Sequence, residues 1–91
     1  MRRDAKVDSN QAEIVKGIRA MGGVVQHCHQ LKNAFDILVG YNNKLYICEI
    51  KPTKKHKLTE GELKCKQMFN SVGVDYHVIS SIEDFKQLIN K

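Results

Sequence analysis

Proline occurs once in this 91-residue sequence, at Pro52, and aromatic residues supply only 7 % of it. Its three cysteines, Cys28, Cys48 and Cys65, form an odd set with no CxxC pair. That excludes a disulfide framework and a paired-cysteine zinc site, so the expectation is reduced thiols in an intracellular protein. No apolar run approaches the roughly 18 residues that a membrane span needs. The opening MRRDAKVDSNQ has no apolar core of the kind a secretory leader carries. A secreted or inserted protein is therefore not expected, and no repeat or low-complexity stretch interrupts the chain.

What is present is the balance of an ordinary globular protein, with 42 % hydrophobic and 27 % charged residues. The length suits one small domain spanning residues 1–91, with a single modest core. Fifteen Lys and Arg against ten Asp and Glu leave a net charge of +5, which favours polyanionic partners.

Ile14, Val15, Ile18 and Met21 recur at helical spacing from Asn10 to Met21, and Gly22-Gly23 stops that helix. Val24–His29 reads as a strand near a sheet edge, given its polar content. Phe35–Tyr41 and Lys44–Lys51 are apolar at successive positions, which predicts strands covered on both faces. The Asn42-Asn43 pair between them suits the positive φ angles of a two-residue hairpin turn. After the polar PTKKHK loop, Thr59 and Glu62 spell a capping box between Leu58 and Leu63, opening a helix that runs to Val72. Gly73 ends it, Val74–Ser80 reads as a fourth strand, and Ser81 caps a last helix carrying Ile82, Phe85, Leu88 and Ile89. The predicted order is α-β-β-β-α-β-α, an α/β fold in which a helical crossover sets the fourth strand parallel to a neighbour in a mixed sheet flanked by helices.

A hairpin turning at Asn42-Asn43 pairs Tyr41 with Lys44, Val39 with Tyr46 and Asp36 with Glu49. Two acids then oppose each other, where like charges destabilise. A hard divalent cation offsets that cost, because Mg²⁺ takes carboxylate oxygens and completes its shell with water and phosphate. Lys51 falls on the same face by the period of a strand, placed to orient a water or to stabilise charge on a phosphate. The plainer alternative is a solvated sheet edge or a simple Glu49–Lys51 ion pair. The apolar company of Leu38, Val39, Ile47 and Ile50 weighs against it, since charges are seldom buried without a partner.

Asp36 followed by Glu49-Ile50-Lys51 beyond a hairpin resembles the D…(D/E)xK motif of the PD-(D/E)xK nuclease superfamily, with its restriction-endonuclease-like core. The compact chain, a Glu on helix one and the LTEGE helix start are similar to the virus-type replication-repair nuclease domain, VRR-NUC, and the layout is similar to that of Holliday junction resolvases. The resemblance covers roughly Gln11 to Ser80. Phe35 stands where that motif has proline, and Glu62 where VRR-NUC sequences often carry Gln; Gln67 lies too far along the helix to replace it. The resemblance implies that Asp36 and Glu49 hold Mg²⁺ or Mn²⁺, that the Ile50 carbonyl adds a ligand, that Lys51 assists the attacking water, and that Glu13 is the helix-one acid. It further implies metal-assisted hydrolysis of DNA, branched or at junctions, by a cytoplasmic homodimer in phage or bacterial replication, recombination or repair. The alternatives are an inactive nucleic-acid-binding module with the same fold and a small basic structural protein.

Glu13 has a second reading, as the end of an N-x-x-E cap begun by Asn10. Lys54, Lys55, His56 and Lys57 form a flexible basic loop suited to backbone phosphates, which Lys64 and Lys66 extend. His27-Cys28-His29 lacks the second ligand pair of a structural zinc site, and strand alternation sends Cys28 away from both histidines. Tyr41 and Tyr46 read as packing groups rather than base-stacking platforms.

Overall fold

The computed structural model describes residues 9–90, so the reading of the first eight residues as lacking a leader lies outside them. Seven elements follow in the expected order: α1 (Gln11–Ala20), β1 (Val24–His27), β2 (Ile37–Tyr41), β3 (Lys44–Ile50), α2 (Glu60–Asn70), β4 (Tyr76–Ile79) and α3 (Ile82–Ile89). The sheet runs β1-β2-β3-β4, with β1 and β4 at its edges. The first two pairings are antiparallel, and β4 returns parallel to β3 after the α2 crossover.

The hairpin register is the expected one, with Tyr41 opposite Lys44 and Val39 opposite Tyr46. Asn42 and Asn43 take φ angles of 50° and 67°, the left-handed pair that a tight primed turn requires. The outer strands are shorter than their apolar runs. β1 ends at His27, and the Cys28 N–H bonds to the Asp36 carbonyl at 2.7 Å as the chain leaves the sheet.

Alternation along β3 sorts two cores. Tyr46, Cys48 and Ile50 face Ile14, Val15 and Ile18 of α1 and Phe85 of α3. Ile47 faces the other way, onto Cys65 of α2 and Tyr76, with Phe35, Leu38, Leu58 and Phe69 packed around them. Burial of every residue from Tyr46 to Ile50 follows from cover on both faces. Tyr41 and Tyr46 set their rings edge-on to Phe85, at 6.2 and 5.7 Å between centroids, so both pack as expected.

The helix ends follow their local chemistry. Gly22, at φ 94°, closes α1 in a conformation that costs other residues steric strain. The Thr59 hydroxyl accepts the Glu62 N–H at 3.2 Å, and the Glu62 carboxylate accepts the Thr59 N–H at 2.9 Å, completing the capping box. Of the residues flanking it, Leu58 joins the α2-side core while Leu63 is exposed. The Ser81 hydroxyl caps α3 by accepting from Asp84 N–H at 3.1 Å. Asn10 departs from expectation: it makes no side-chain cap, and its amide instead donates to the carbonyls of Lys51 and Ser80 at 3.0 and 2.9 Å. That staples the start of α1 to the ends of β3 and β4.

Among the described residues, no helix is long and apolar enough to cross a membrane. Cys28, Cys48 and Cys65 are free thiols. Burial pushes the Cys48 thiol up to about 12, so it stays protonated and behaves as a small apolar group.

Candidate active site

Glu49 and Lys51 project from the α2 face of β3, in step with Ile47. Asp36 precedes β2 by one residue and extends the ladder, its N–H donating to the Cys48 carbonyl at 3.1 Å. The register therefore sets Asp36 across from Glu49. The Asp36 Oδ2 accepts the Ile50 N–H at 2.8 Å, which fixes its carboxylate against the neighbouring strand. An open cleft of ≈ 440 Å³ exposes this edge, lined by Asp36, Glu49, Lys51 and Glu62 together with His29 and the following loop.

Glu49 is only 5 % exposed. Burial, then the nearby charges of Asp36 and Glu62, push its carboxyl up to about 9 from an ordinary 4.5. Burial therefore favours the neutral acid at Glu49, and positive charge brought beside it favours the carboxylate. Lys51 brings part of that charge, with its Nζ 3.5 Å from Glu49 Oε2.

Glu62 makes the shorter bond, with Oε1 2.8 Å from Lys51 Nζ. Burial alone raises the Glu62 carboxyl, but the hydrogen bonds from Lys51 and from the Thr59 N–H outweigh it and hold the group below its ordinary value. The Lys51 ammonium is likewise disfavoured by burial, yet Glu62 and then Glu49 hold its affinity for the proton above the ordinary value. One carboxylate thus closes the capping box and anchors the lysine. From the sequence, Glu62 was legible as a cap and as a departure from glutamine; the tether to Lys51 was not.

Glu13 is exposed on α1, whose packed face lies across the sheet from Glu49, and it does not line the cleft. Nor does it cap Asn10, which makes no such bond. The helix-one residue that turns inward is Gln11, 2 % exposed, with its amide 3.4 Å from His27 Nδ1. Gln11 stands in register with Ile14, Val15 and Ile18, a signal that was in the sequence.

None of Lys54, Lys55, His56 and Lys57 lines the cleft. Thr53 turns this loop: its Oγ1 accepts the Lys55 N–H at 3.2 Å and lies 2.9 Å from His56 Nδ1. All four are exposed, and Lys54 reaches Asp84 of α3 at 3.2 Å. His27 and His29 meet edge to face at 5.8 Å, and β1 ends before Cys28, so strand alternation does not govern that trio. Among the described residues, no three His, Cys, Asp or Glu side chains form a ready-made metal cage.

The mixed sheet thus gathers two acids and a lysine at one edge of a covered strand pair. One solved structure, described as a VRR_NUC domain, matches with a TM-score of 0.71 across 91 % of this chain and 97 % of that one, at 21 % identity. The fold is therefore that of a VRR_NUC domain. No protein-family model matches the chain, and no curated protein does.

Proposed function

We propose that the chain is a single nuclease domain that hydrolyses DNA phosphodiester bonds with a divalent cation held at Asp36 and Glu49. The observation that carries this reading is the buried Glu49 carboxyl set across from Asp36, with Lys51 3.5 Å from Glu49, at the edge of an open cleft. The VRR_NUC fold supports it.

The donor set fits Mg²⁺ or Mn²⁺: two carboxylates and a main-chain oxygen, with water and phosphate completing the shell. A strand residue directs its N–H and C=O to the same side, so the Ile50 carbonyl goes with the N–H that binds Asp36. A cation bound there supplies Lewis-acid polarisation of the phosphoryl oxygen and a more acidic water. Asp36, clamped by the Ile50 N–H, and Glu49, held in the sheet, orient the group without rearranging. Lys51, kept charged and aimed by Glu62, stabilises the charge that grows on the phosphate and orients the attacking water. Lys55, His56 and Lys57, exposed on the loop that follows Lys51, offer contacts to backbone phosphates.

The substrate class we propose is branched or junction DNA. Symmetric cutting of a junction needs two sites, which calls for a homodimer. The setting we propose is replication, recombination or repair in a phage or a bacterium.

The test is incubation with labelled four-way junction, splayed-arm and linear duplex DNA in Mg²⁺, Mn²⁺ or EDTA, with sedimentation to give the oligomeric state. Cutting in either metal and none in EDTA supports the proposal, and the substrate ranking decides on branched DNA. Binding without cutting on every substrate points to an inactive nucleic-acid-binding module.

A further inference from the structure

Across the β1–β2 loop from the acidic cleft lies a second concavity, an apolar groove of ≈ 500 Å³. Phe35, Phe69, Leu31 and Met68 form its walls, and Lys32 and Lys64 stand at its rim. Leu31 and Met68 are 58 % and 60 % exposed and join the two phenylalanines in one contiguous apolar patch. Phe35 meets Phe69 edge to face with centroids 6.3 Å apart.

Groove and cleft share a wall. Residues 31–35 line both, and Phe35 is the neighbour of Asp36. That wall is built in place. Asn33 adopts a left-handed φ of 57° and lays its side chain on Gly61, where an added Cβ would collide with it. The Tyr76 hydroxyl donates to the Ala34 carbonyl at 2.8 Å.

We infer, on the nuclease reading above, that this groove receives an unpaired nucleobase from the strand whose phosphate lies at Asp36 and Glu49. A base offers flat apolar faces on an anionic backbone, which matches an apolar groove that carries two phenylalanines and two lysines and shares a wall with the phosphate site. Stacked and paired bases do not reach the groove, and extrusion costs least where a base is already unpaired. The substrate class is therefore DNA with an unstacked nucleotide beside the bond that is cut. Branch points, bulges and single-stranded arms all meet that description.

The test uses the full chain in EDTA, so that binding is read without cleavage, and oligonucleotides carrying 2-aminopurine as a single-base bulge or within a perfect duplex. The variants are Met68→Asp and Leu31→Asp, both at exposed positions, with circular dichroism to confirm the fold. The expected result is a change in 2-aminopurine emission on binding the bulge, together with a loss of bulge affinity on the order of ten-fold in the variants, the scale of one stacked base. Duplex affinity is expected to stay the same. Variants that bind the bulge as tightly as the unmodified protein, while that protein still cuts DNA in Mg²⁺, overturn the groove and leave the nuclease reading standing. Failure of the unmodified protein to bind any of these DNAs overturns both.

Discussion

Lys51 Nζ lies 2.8 Å from Glu62 Oε1 and 3.5 Å from Glu49 Oε2, bridging the first turn of α2 to the end of β3. The side chains of Lys51 and Glu62 are 12 % and 18 % exposed, so the pair is shielded from the solvent that weakens surface ion pairs. Glu62 keeps its other tie to Thr59, so the lysine is fixed by the same contact that starts the helix.

Glu62→Gln separates those two duties. A glutamine oxygen still accepts the Thr59 N–H, so thermal stability should hold, while the negative charge beside Lys51 disappears. Cleavage is expected to fall about ten-fold, as when a group supporting a catalytic residue is altered. The basic limb of the pH–rate profile should move to lower pH, because Glu62 raises the Lys51 affinity for its proton. An unchanged profile would show that Glu62 is only a cap.

The pH dependence of stability follows from Glu49. Its folded pKa lies near 9, above the ordinary 4.5, so the folded state holds a proton that the unfolded state releases between those values. Stability from this group is full below 4.5 and is lost as pH rises toward 9. In EDTA, the melting temperature should fall across that window, and Glu49→Gln should flatten the slope. Added Mg²⁺ should stabilise the protein more at pH 8 than at pH 6, since the ion binds the carboxylate form. Calorimetry over pH, with and without the ion, checks both signs.

Helix one supplies a contrast. Glu13→Ala removes an exposed side chain that touches neither cap nor cleft, so cleavage and melting temperature should stay at unmodified levels. Gln11→Ala empties a buried position beside His27 and should destabilise by about 1–3 kcal/mol, read by urea denaturation. A large loss of cleavage in Glu13→Ala at normal stability would restore it as the helix-one acid.

The basic loop is testable through salt. Lys55 and Lys57 are exposed, and each phosphate contact contributes about 0.9 to the slope of log affinity against log salt. Lys55→Ala with Lys57→Ala should therefore lower that slope by about 1.8 if both reach DNA phosphates. Lys54→Ala should change it less, because Lys54 is drawn to Asp84. Fluorescence anisotropy across a salt series gives the slopes.

Much of the fold was legible because its determinants are local. Asn42-Asn43 sets the hairpin turn, and through it the register that opposes Asp36 and Glu49. Thr59 with Glu62, and Ser81, mark helix starts; Gly22 and Gly73 mark stops. Strand ends were less legible, since Cys28 and Asp36 leave the sheet through a backbone bond between them that no residue type announces. Glu13 lies off the apolar stripe of α1 and outside the cleft, whereas Gln11 lies on that stripe. The second duty of Glu62 depends on how α2 folds back over β3, and the apolar groove on how Asn33 meets Gly61. Both are tertiary relationships that periodicity does not encode.

The central claim meets its most direct test in cleavage of a labelled four-way junction by the unmodified protein and by Asp36→Ala at equal concentration, in Mg²⁺ and in EDTA, once matching melting temperatures show that both are folded. The expected result is cutting by the unmodified protein in Mg²⁺ alone, with Asp36→Ala reduced to background. Equal cutting by the two proteins, or junction binding with no cutting by either, would contradict it.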